Sequence, residues 1–301
     1  MSNVPTVVGL GEILWDLLPS GRQLGGAPAN FAYWSHILGN RAVVASRVGN
    51  DDLGHEIRKR LAKFGISDEF IQLDSLHPTG TVRVQIDSFG QPKFEIIEPV
   101  AWDFLEWTDS WQVLAGSAAA VCFGSLAQRS PESQNTIRNF LNATSSSALR
   151  ILDVNLRQDF YSADIIRDSL ERANIVKMNH DEVPVVKKLL SIAADTDSSF
   201  CCSLIQRFQL KVACITHGAG GSLLCDGNVC HEHNGFEVTV RDTVGAGDAF
   251  TAALVHGLLQ GRPLAELNES ANRLGAWVAS QPGGMPPVPA SGLENALAAL
   301  T

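Results

Sequence analysis

Short apolar runs that close near Gly, Asp or Asn alternate along this chain with longer stretches whose apolar positions recur at helical spacing. The runs predict strands and the stretches predict amphipathic helices. Strands are expected over Thr6 to Leu10, Ala42 to Val48, Ala119 to Gly124, Leu149 to Asp153, Ile175 to Met178 and Lys211 to Thr216. Helices are expected over Asp52 to Phe64, Pro131 to Asn142, Ile165 to Ala173, Asp181 to Leu190 and Ala249 to Leu259. Strand and helix in turn imply an α/β fold, with a mostly parallel sheet between layers of helices. With no internal repeat and no long linker, residues 1–301 read as one domain.

The alternation breaks in places. Gly9-Leu10-Gly11-Glu12 opens like a dinucleotide-binding fingerprint, but Leu14 stands where the third glycine belongs, and Glu12 to Leu18 runs on as another apolar strand. Thr81 to Asp87 and Lys93 to Ile97 alternate apolar and polar residues around Ser88-Phe89-Gly90-Gln91-Pro92, the pattern of a hairpin. Together these segments, near residues 12–18 and 81–97, predict a small sheet without a helix on it. Such a sheet either covers something or is an ordinary edge hairpin. Ser145-Ser146-Ser147 and Asp195 to Ser199 read as polar loops.

Charge narrows the function. Lys and Arg total 23 against 32 Asp and Glu, a net charge of -9, which disfavours nucleic acid or an anionic membrane as partner and favours a small molecule. No basic segment precedes an apolar run at the N-terminus, and Ala115 to Ala127 is too short and polar-broken to span a bilayer, so a cytoplasmic protein is expected. Cys122, Cys201, Cys202, Cys214, Cys225 and Cys230 show no C-x-x-C pair and no disulfide-like spacing, and reduced buried thiols are expected. Cys225, Cys230, His231 and His233 can be sketched as a zinc site. However, Asp226-Gly227-Asn228 between apolar residues reads as a hairpin turn that sends those side chains to alternating faces.

The candidate chemistry sits at the strand ends. Asp242-Thr243-Val244-Gly245-Ala246-Gly247-Asp248-Ala249-Phe250 passes from a short apolar strand into a helix. Gly245 and Gly247 permit a sharp turn with bare N–H groups at the helix start, where the dipole favours an anion. A carboxylate at Asp248 repels a phosphate there unless a proton must be removed between them, as when a hydroxyl attacks a phosphoryl group. Standing alone, Asp248 would simply stabilise the dipole. Gly25-Gly26-Ala27-Pro28-Ala29-Asn30 opens a helix through Phe31, Trp34 and Leu38, with Gly39 as its stop. Its glycines admit close approach of a ligand, and the Asn30 amide could reach the same space or make only a local polar contact.

Asp153-Val154-Asn155-Leu156-Arg157 closes an apolar strand, and alternation would set its three polar side chains on one side. Arg157 there could hold a carboxylate, a phosphate or a hydroxyl pair, or could pair with a nearby acid. Asn179 and Glu182 lie one helical turn apart, either as a capping pair or as oxygen ligands for hydrated magnesium. Thr216-His217-Gly218-Ala219-Gly220-Gly221 turns at the end of its strand without the G-K-[ST] of a P-loop.

D-T-V-G-A-G-D-A-F resembles the signature of the ribokinase-like carbohydrate kinases, the PfkB family. Further resemblances lie at G-G-A-P-A-N, Gly49 to Gly54, N-x-x-E and T-x-G-x-x-G, in the family's order between Gly9 and Pro289. The resemblance implies a ribokinase-like three-layer α/β fold with a small β-sheet lid, which in some members pairs between subunits as a homodimer. It also implies ATP and a sugar as ligands, with magnesium. Asp248 would be the catalytic base, and the amides of Gly245, Ala246 and Gly247 the anion hole. Asp16, Gly25, Gly26, Asn30 and Arg157 would hold the sugar. Thr216, Gly218 and Gly221 would lie near the nucleotide phosphates and ribose, with Asn272 facing adenine. Asn179 and Glu182 would organise magnesium through water. Asp242 and the Gly283-Gly284-Met285-Pro286 loop resemble the region that binds a monovalent cation such as potassium. His217 receives no role.

G-E-I-L-W-D, A-W-D, F-G-S-L-A and D-V-N-L-R are most similar to bacterial fructokinases, which makes fructose the expected acceptor. Within the family the alternatives are 2-keto-3-deoxygluconate, with its carboxylate on Arg157, and ribose. Outside it stands a sugar or nucleotide sensor that no longer turns over, against which the intact anion hole and base speak.

Overall fold

The computed structural model describes residues 4–18, 21–86 and 92–300. The chain opens with β1 (Thr6–Leu10), β2 (Leu14–Leu18), β3 (Gly21–Gly25), α1 (Ala27–Ile37), β4 (Arg41–Gly49), α2 (Asp52–Lys63), β5 (Ile71–Asp74), β6 (Gly80–Ile86) and β7 (Pro92–Ile96). Alternation follows through α3 (Asp109–Ser117), β8 (Ala120–Phe123), α4 (Pro131–Ala143), β9 (Leu149–Asp153), α5 (Ala163–Arg172) and β10 (Ile175–Asn179). After α6 (Glu182–Leu190) and α7 (Asp197–Phe208) come β11 (Val212–Thr216), β12 (Ser222–Cys225), β13 (Cys230–His233), α8 (Ala246–Leu259), α9 (Leu264–Ala279) and α10 (Leu293–Ala298).

The main sheet runs β13-β12-β11-β10-β9-β8-β1-β4-β5, parallel from β11 to β5 with β12 and β13 as an antiparallel edge. Chain order reverses at β1, which has β4 on one side and β8 on the other, so a crevice opens beyond the carboxyl ends of β1 and β8. Strand alternation divides the core between the two faces. Val7 packs with Phe31, Trp34, Leu254 and Leu274 of α1, α8 and α9, while Val8 and Leu10 pack with Phe140, Ile166 and Val186 of α4, α5 and α6. Each such side chain contributes about 1.5–3 kcal/mol by leaving water, which holds the strand ends in fixed positions.

The small sheet runs β3-β2-β6-β7, with β2 and β6 parallel and the outer pairs antiparallel. The expected strands are present, and the hairpin tip Asp87 to Gln91 lies outside the described residues. β3 was not expected, because Gly21-Arg22-Gln23-Leu24-Gly25 carries two glycines and a single buried apolar side chain. It forms by pairing along β2, opposite Asp16 and Trp15. Trp15 fixes this sheet to α2: its ring is fully buried, and Nε1 donates to the Leu53 carbonyl at 3.1 Å.

Three sequence expectations are corrected. The short apolar strand expected before Asp242 does not form, because the main sheet ends at β13 and residues 234–243 have no strand to pair with. Asp195 to Ser199 is not merely a loop, since Thr196 caps α7: Thr196 Oγ1 accepts from Ser199 N and Ser199 Oγ accepts from Thr196 N, both at 3.1 Å. Small hydroxyl residues compose loops and caps alike, so composition hid the cap. Thr196→Ala should cost about 1 kcal/mol, and an unchanged urea midpoint would contradict the cap. Cys225 and Cys230 form a disulfide, because the turn at Asp226-Gly227-Asn228 sets them directly opposite each other across β12 and β13 with Cα atoms 4.1 Å apart. Cys122, Cys201 and Cys214 are buried free thiols, and Cys202 is free and exposed. No helix among the described residues is long and apolar enough to cross a membrane.

Candidate active site

At the head of α8, Gly245 adopts φ +74, the left-handed region that glycine tolerates, and offers no side chain to cap the helix. The first amides of the helix therefore lack helical partners, and Ala246 N reaches only to the Thr243 carbonyl at 3.3 Å. A Cβ at Gly245 would come within 2.5 Å of Gly284 Cα, so the turn is also sterically closed to other residues. Asp248 lies in the first turn. Asn30, 4% exposed on α1, donates from Nδ2 to Asp248 Oδ2 at 2.7 Å.

The helix that carries Asn30 is anchored to the loop behind Gly245. Trp34 Nε1 donates to the Gly284 carbonyl at 2.9 Å and the Tyr33 hydroxyl to the Pro286 carbonyl at 2.8 Å. Asp242 closes the same loop by accepting from Gly283 N and Val244 N, each at 3.0 Å. Burial raises the Asp248 pKa to about 6, with Asp153 adding to the rise and Lys177, the Asn30 bond and Arg157 opposing it.

Lys177 on β10 was not singled out from the sequence. It is 7% exposed, and Nζ lies 3.1 Å from each oxygen of Asp153, which also accepts from Thr251 Oγ1 at 3.0 Å. A Cβ on Gly247 would stand 3.0 Å from that Nζ, so the ammonium lies against the first turn of α8. Burial alone would lower the Lys177 pKa, but Asp153, Asp248 and Glu182 together hold it above its usual value. The signal was legible in Ile175-Val176-Lys177-Met178, because a lysine inside an apolar strand needs a buried partner.

The expected alternation over Asp153 to Arg157 fails. β9 ends at Asp153 and Asn155 turns with φ 43, which sends Asp153 inward to Lys177 and leaves Arg157 exposed. Arg157 Nη1 donates to the Leu156 carbonyl at 3.1 Å, and its charge lowers the pKa values of Glu12, Asp16 and Asp248.

Asp16 is half-buried on β2, and burial raises its pKa to about 6, with Arg157 lowering it and Asp242 raising it. The two glycines before α1 are not simply open to a ligand. A Cβ on Gly25 would collide with Asp16 Oδ2, and one on Gly26, which has φ +103, would come within 2.6 Å of the Glu12 carbonyl. They make room for the Asp16 carboxyl and for the chain leaving β1.

On the other flank, Asn179 and Thr216 are register partners at the ends of β10 and β11. Asn179 Oδ1 accepts from Glu182 N at 3.0 Å, while the Glu182 carboxyl accepts from Asn179 N and Leu156 N, each at 2.8 Å. Each of the two side chains thus bonds the other's backbone N–H and closes the turn ahead of α6. Burial raises the Glu182 pKa despite Lys177 nearby. Gly218 is exposed with φ +58, and Gly221 is buried, its carbonyl accepting from His217 N at 2.8 Å. Asn272 is turned inward: Nδ2 donates to Ser222 Oγ at 2.7 Å and to the Asn268 carbonyl at 2.8 Å, binding α9 to β12.

The model of the pfkB family of carbohydrate kinases matches residues 21–291. A fructokinase of Escherichia coli is 30% identical over 298 residues, covering 93% of this chain and 95% of that protein. A fructokinase of Klebsiella pneumoniae is 34% identical over 262 residues, covering 83% of each. The crystal structure of an uncharacterized sugar kinase from Pyrococcus horikoshii in complex with ATP is similar with TM-score 0.80 and 27% identity, over 94% of each chain. A fructokinase of Vibrio cholerae, solved with fructose, ADP and potassium, shares the fold at TM-score 0.82 and 24% identity, over 99% of this chain and 98% of that one. The matched span takes in three strands of the small sheet, both glycine turns and the head of α8, and the chain belongs to the pfkB family of carbohydrate kinases, with their ribokinase-like fold.

Proposed function

We propose that this kinase transfers the γ-phosphoryl group of ATP to a hydroxyl of fructose, with Asp248 as general base. The 2.7 Å bond from Asn30 carries the reading, because it fixes a carboxylate at a helix start whose first amides lack helical partners and can turn to an anion. Ionised Asp248 accepts the proton as the sugar oxygen bonds to the γ-phosphorus. The bond from that phosphorus to the β–γ bridging oxygen breaks, and ADP leaves with the electron pair. The amides of Gly245, Ala246 and Gly247, with the Lys177 ammonium against them, stabilise charge on the phosphoryl oxygens.

Thr216, Gly218 and Gly221 contact the nucleotide at the ends of β10 and β11, and the small sheet covers the sugar. Magnesium neutralises phosphate charge when bound. Asn179 and Glu182 would hold it through water, since their side-chain oxygens are already engaged with backbone amides. Potassium would be held at the loop that Asp242 closes by accepting from Val244 N and Gly283 N.

Fructose is supported by the fructokinase relatives and by the charge around the sugar position. Asp16, Glu12 and Asp248 share Arg157 as a counter-charge, an arrangement that suits neutral hydroxyls better than a carboxylate. Comparison of kcat/KM should rank fructose above 2-keto-3-deoxygluconate, fructose 6-phosphate and ribose. Arg157→Lys should weaken fructose use only moderately, since a fork to hydroxyls is worth less than a buried charge pair. The exposed guanidinium of Arg157 favours the keto acid as the second reading. That reading wins if the keto acid leads the ranking and Arg157→Lys selectively destroys its use.

A further inference from the structure

Glu12 leaves β1 at the point where the strand order reverses, 2% exposed, in the crevice that open α/β sheets use for ligands. Its carboxyl faces its own N–H and that of Ala27, the first residue of α1. α1 has no side-chain cap at Gly26 and no acidic residue in its first turn, so the Glu12 carboxyl takes that place from outside the helix. The same first turn carries Asn30, whose amide holds Asp248. Glu12 Oε2 is buried without a hydrogen-bond partner, which an ionised oxygen would tolerate poorly.

We propose that Glu12 is a positioning residue for phosphoryl transfer, which keeps its proton in the working enzyme so that no second unpaired carboxylate stands beside Asp248 at the head of α8. The inference rests on the assignment of Asp248 as the base. The charged and titratable groups that act on Glu12 are Asp248 on α8 and Arg157 after β9, with Cys122 on β8 also within its field. The Cys122 thiol is pushed well above its ordinary pKa by burial and stays neutral. Asp153 and Lys177 reach the pair through Asp248. Burial raises the Glu12 pKa to about 7 and that of Asp248 to about 6; the buried, unpartnered Oε2 favours the protonated form of Glu12, while the bond from Asn30 favours the ionised form of Asp248. Where rising pH ionises Glu12, a second carboxylate appears beside the base and the anionic phosphoryl group, and the rate falls by Coulomb repulsion.

The wild-type kcat profile should therefore be bell-shaped, with an acidic limb from Asp248 and an alkaline limb from Glu12. Glu12→Gln keeps the acidic limb and loses the alkaline one, measured with whichever sugar is turned over, so failure of the fructose assignment does not disturb the result. A residue with a purely structural role would lower the whole profile without changing its shape. A second readout needs no turnover. The infrared spectrum of the wild-type protein near pH 6.5 should contain a protonated-carboxyl carbonyl band that survives Asp248→Asn and disappears as pH is raised through about 7. An alkaline limb retained in Glu12→Gln overturns the proposal. So does a wild-type spectrum without that band, even where Glu12→Gln fails to fold.

Discussion

Asp248→Asn should lower kcat by about 10²- to 10⁴-fold, the usual contribution of a general base, while the KM for the sugar changes little. The amide is nearly isosteric and can still meet Asn30, so the site keeps its shape and loses only its proton acceptor. Wild-type turnover should also fall as pH drops through about 6, since burial has raised the carboxyl to that value and only its ionised form accepts a proton. That acidic limb should vanish from the residual activity of Asp248→Asn. Near-normal turnover in the variant would remove Asp248 from the chemistry and leave it a helix-start residue.

Lys177→Met should be damaging twice over. It strands the Asp153 carboxylate, 4% exposed, without the ammonium that lies 3.1 Å from both its oxygens, and loss of one partner of a buried pair costs about 3–5 kcal/mol. It also removes the positive charge against Gly247, where phosphoryl charge develops in the proposed reaction. Pairing Lys177→Met with Asp153→Leu separates the two effects, because the double variant no longer buries an unpaired charge. Urea denaturation should show stability largely recovered in the double variant while turnover stays low. Recovery of turnover along with stability would show that the ammonium serves folding and not the transferring group.

Much of this arrangement was legible in the chain. Short apolar runs between amphipathic stretches gave the parallel sheet, because Val7 and Val8 send their side chains to opposite faces and both faces are covered. Gly245 and Asp248 could be read because a left-handed turn and an uncapped helix start are properties of adjacent residues. The Asn30 contact with Asp248 spans 218 positions and depends on the anchoring of α1 to the loop at Gly284, which no local pattern encodes. That Lys177 needs a buried partner is legible in its strand, but that the partner is Asp153 was hidden for the same reason. Each lay inside a motif read for its neighbours, and only the parallel pairing of β9 with β10 sets them side by side. Resemblance alone places Asn272 toward adenine, and its bond to Ser222 inside the fold is again a long-range contact that no local pattern encodes.

The central claim is that the crevice beyond β1 and β8 transfers phosphate to a sugar, and phosphorus NMR of the protein with ATP, magnesium and fructose tests it most directly. The account predicts a sugar-phosphate resonance that grows in step with ADP and is absent without sugar. Binding of both ATP and fructose with no sugar phosphate formed, from fructose or from any other sugar offered, would contradict it and leave a sensor in place of an enzyme.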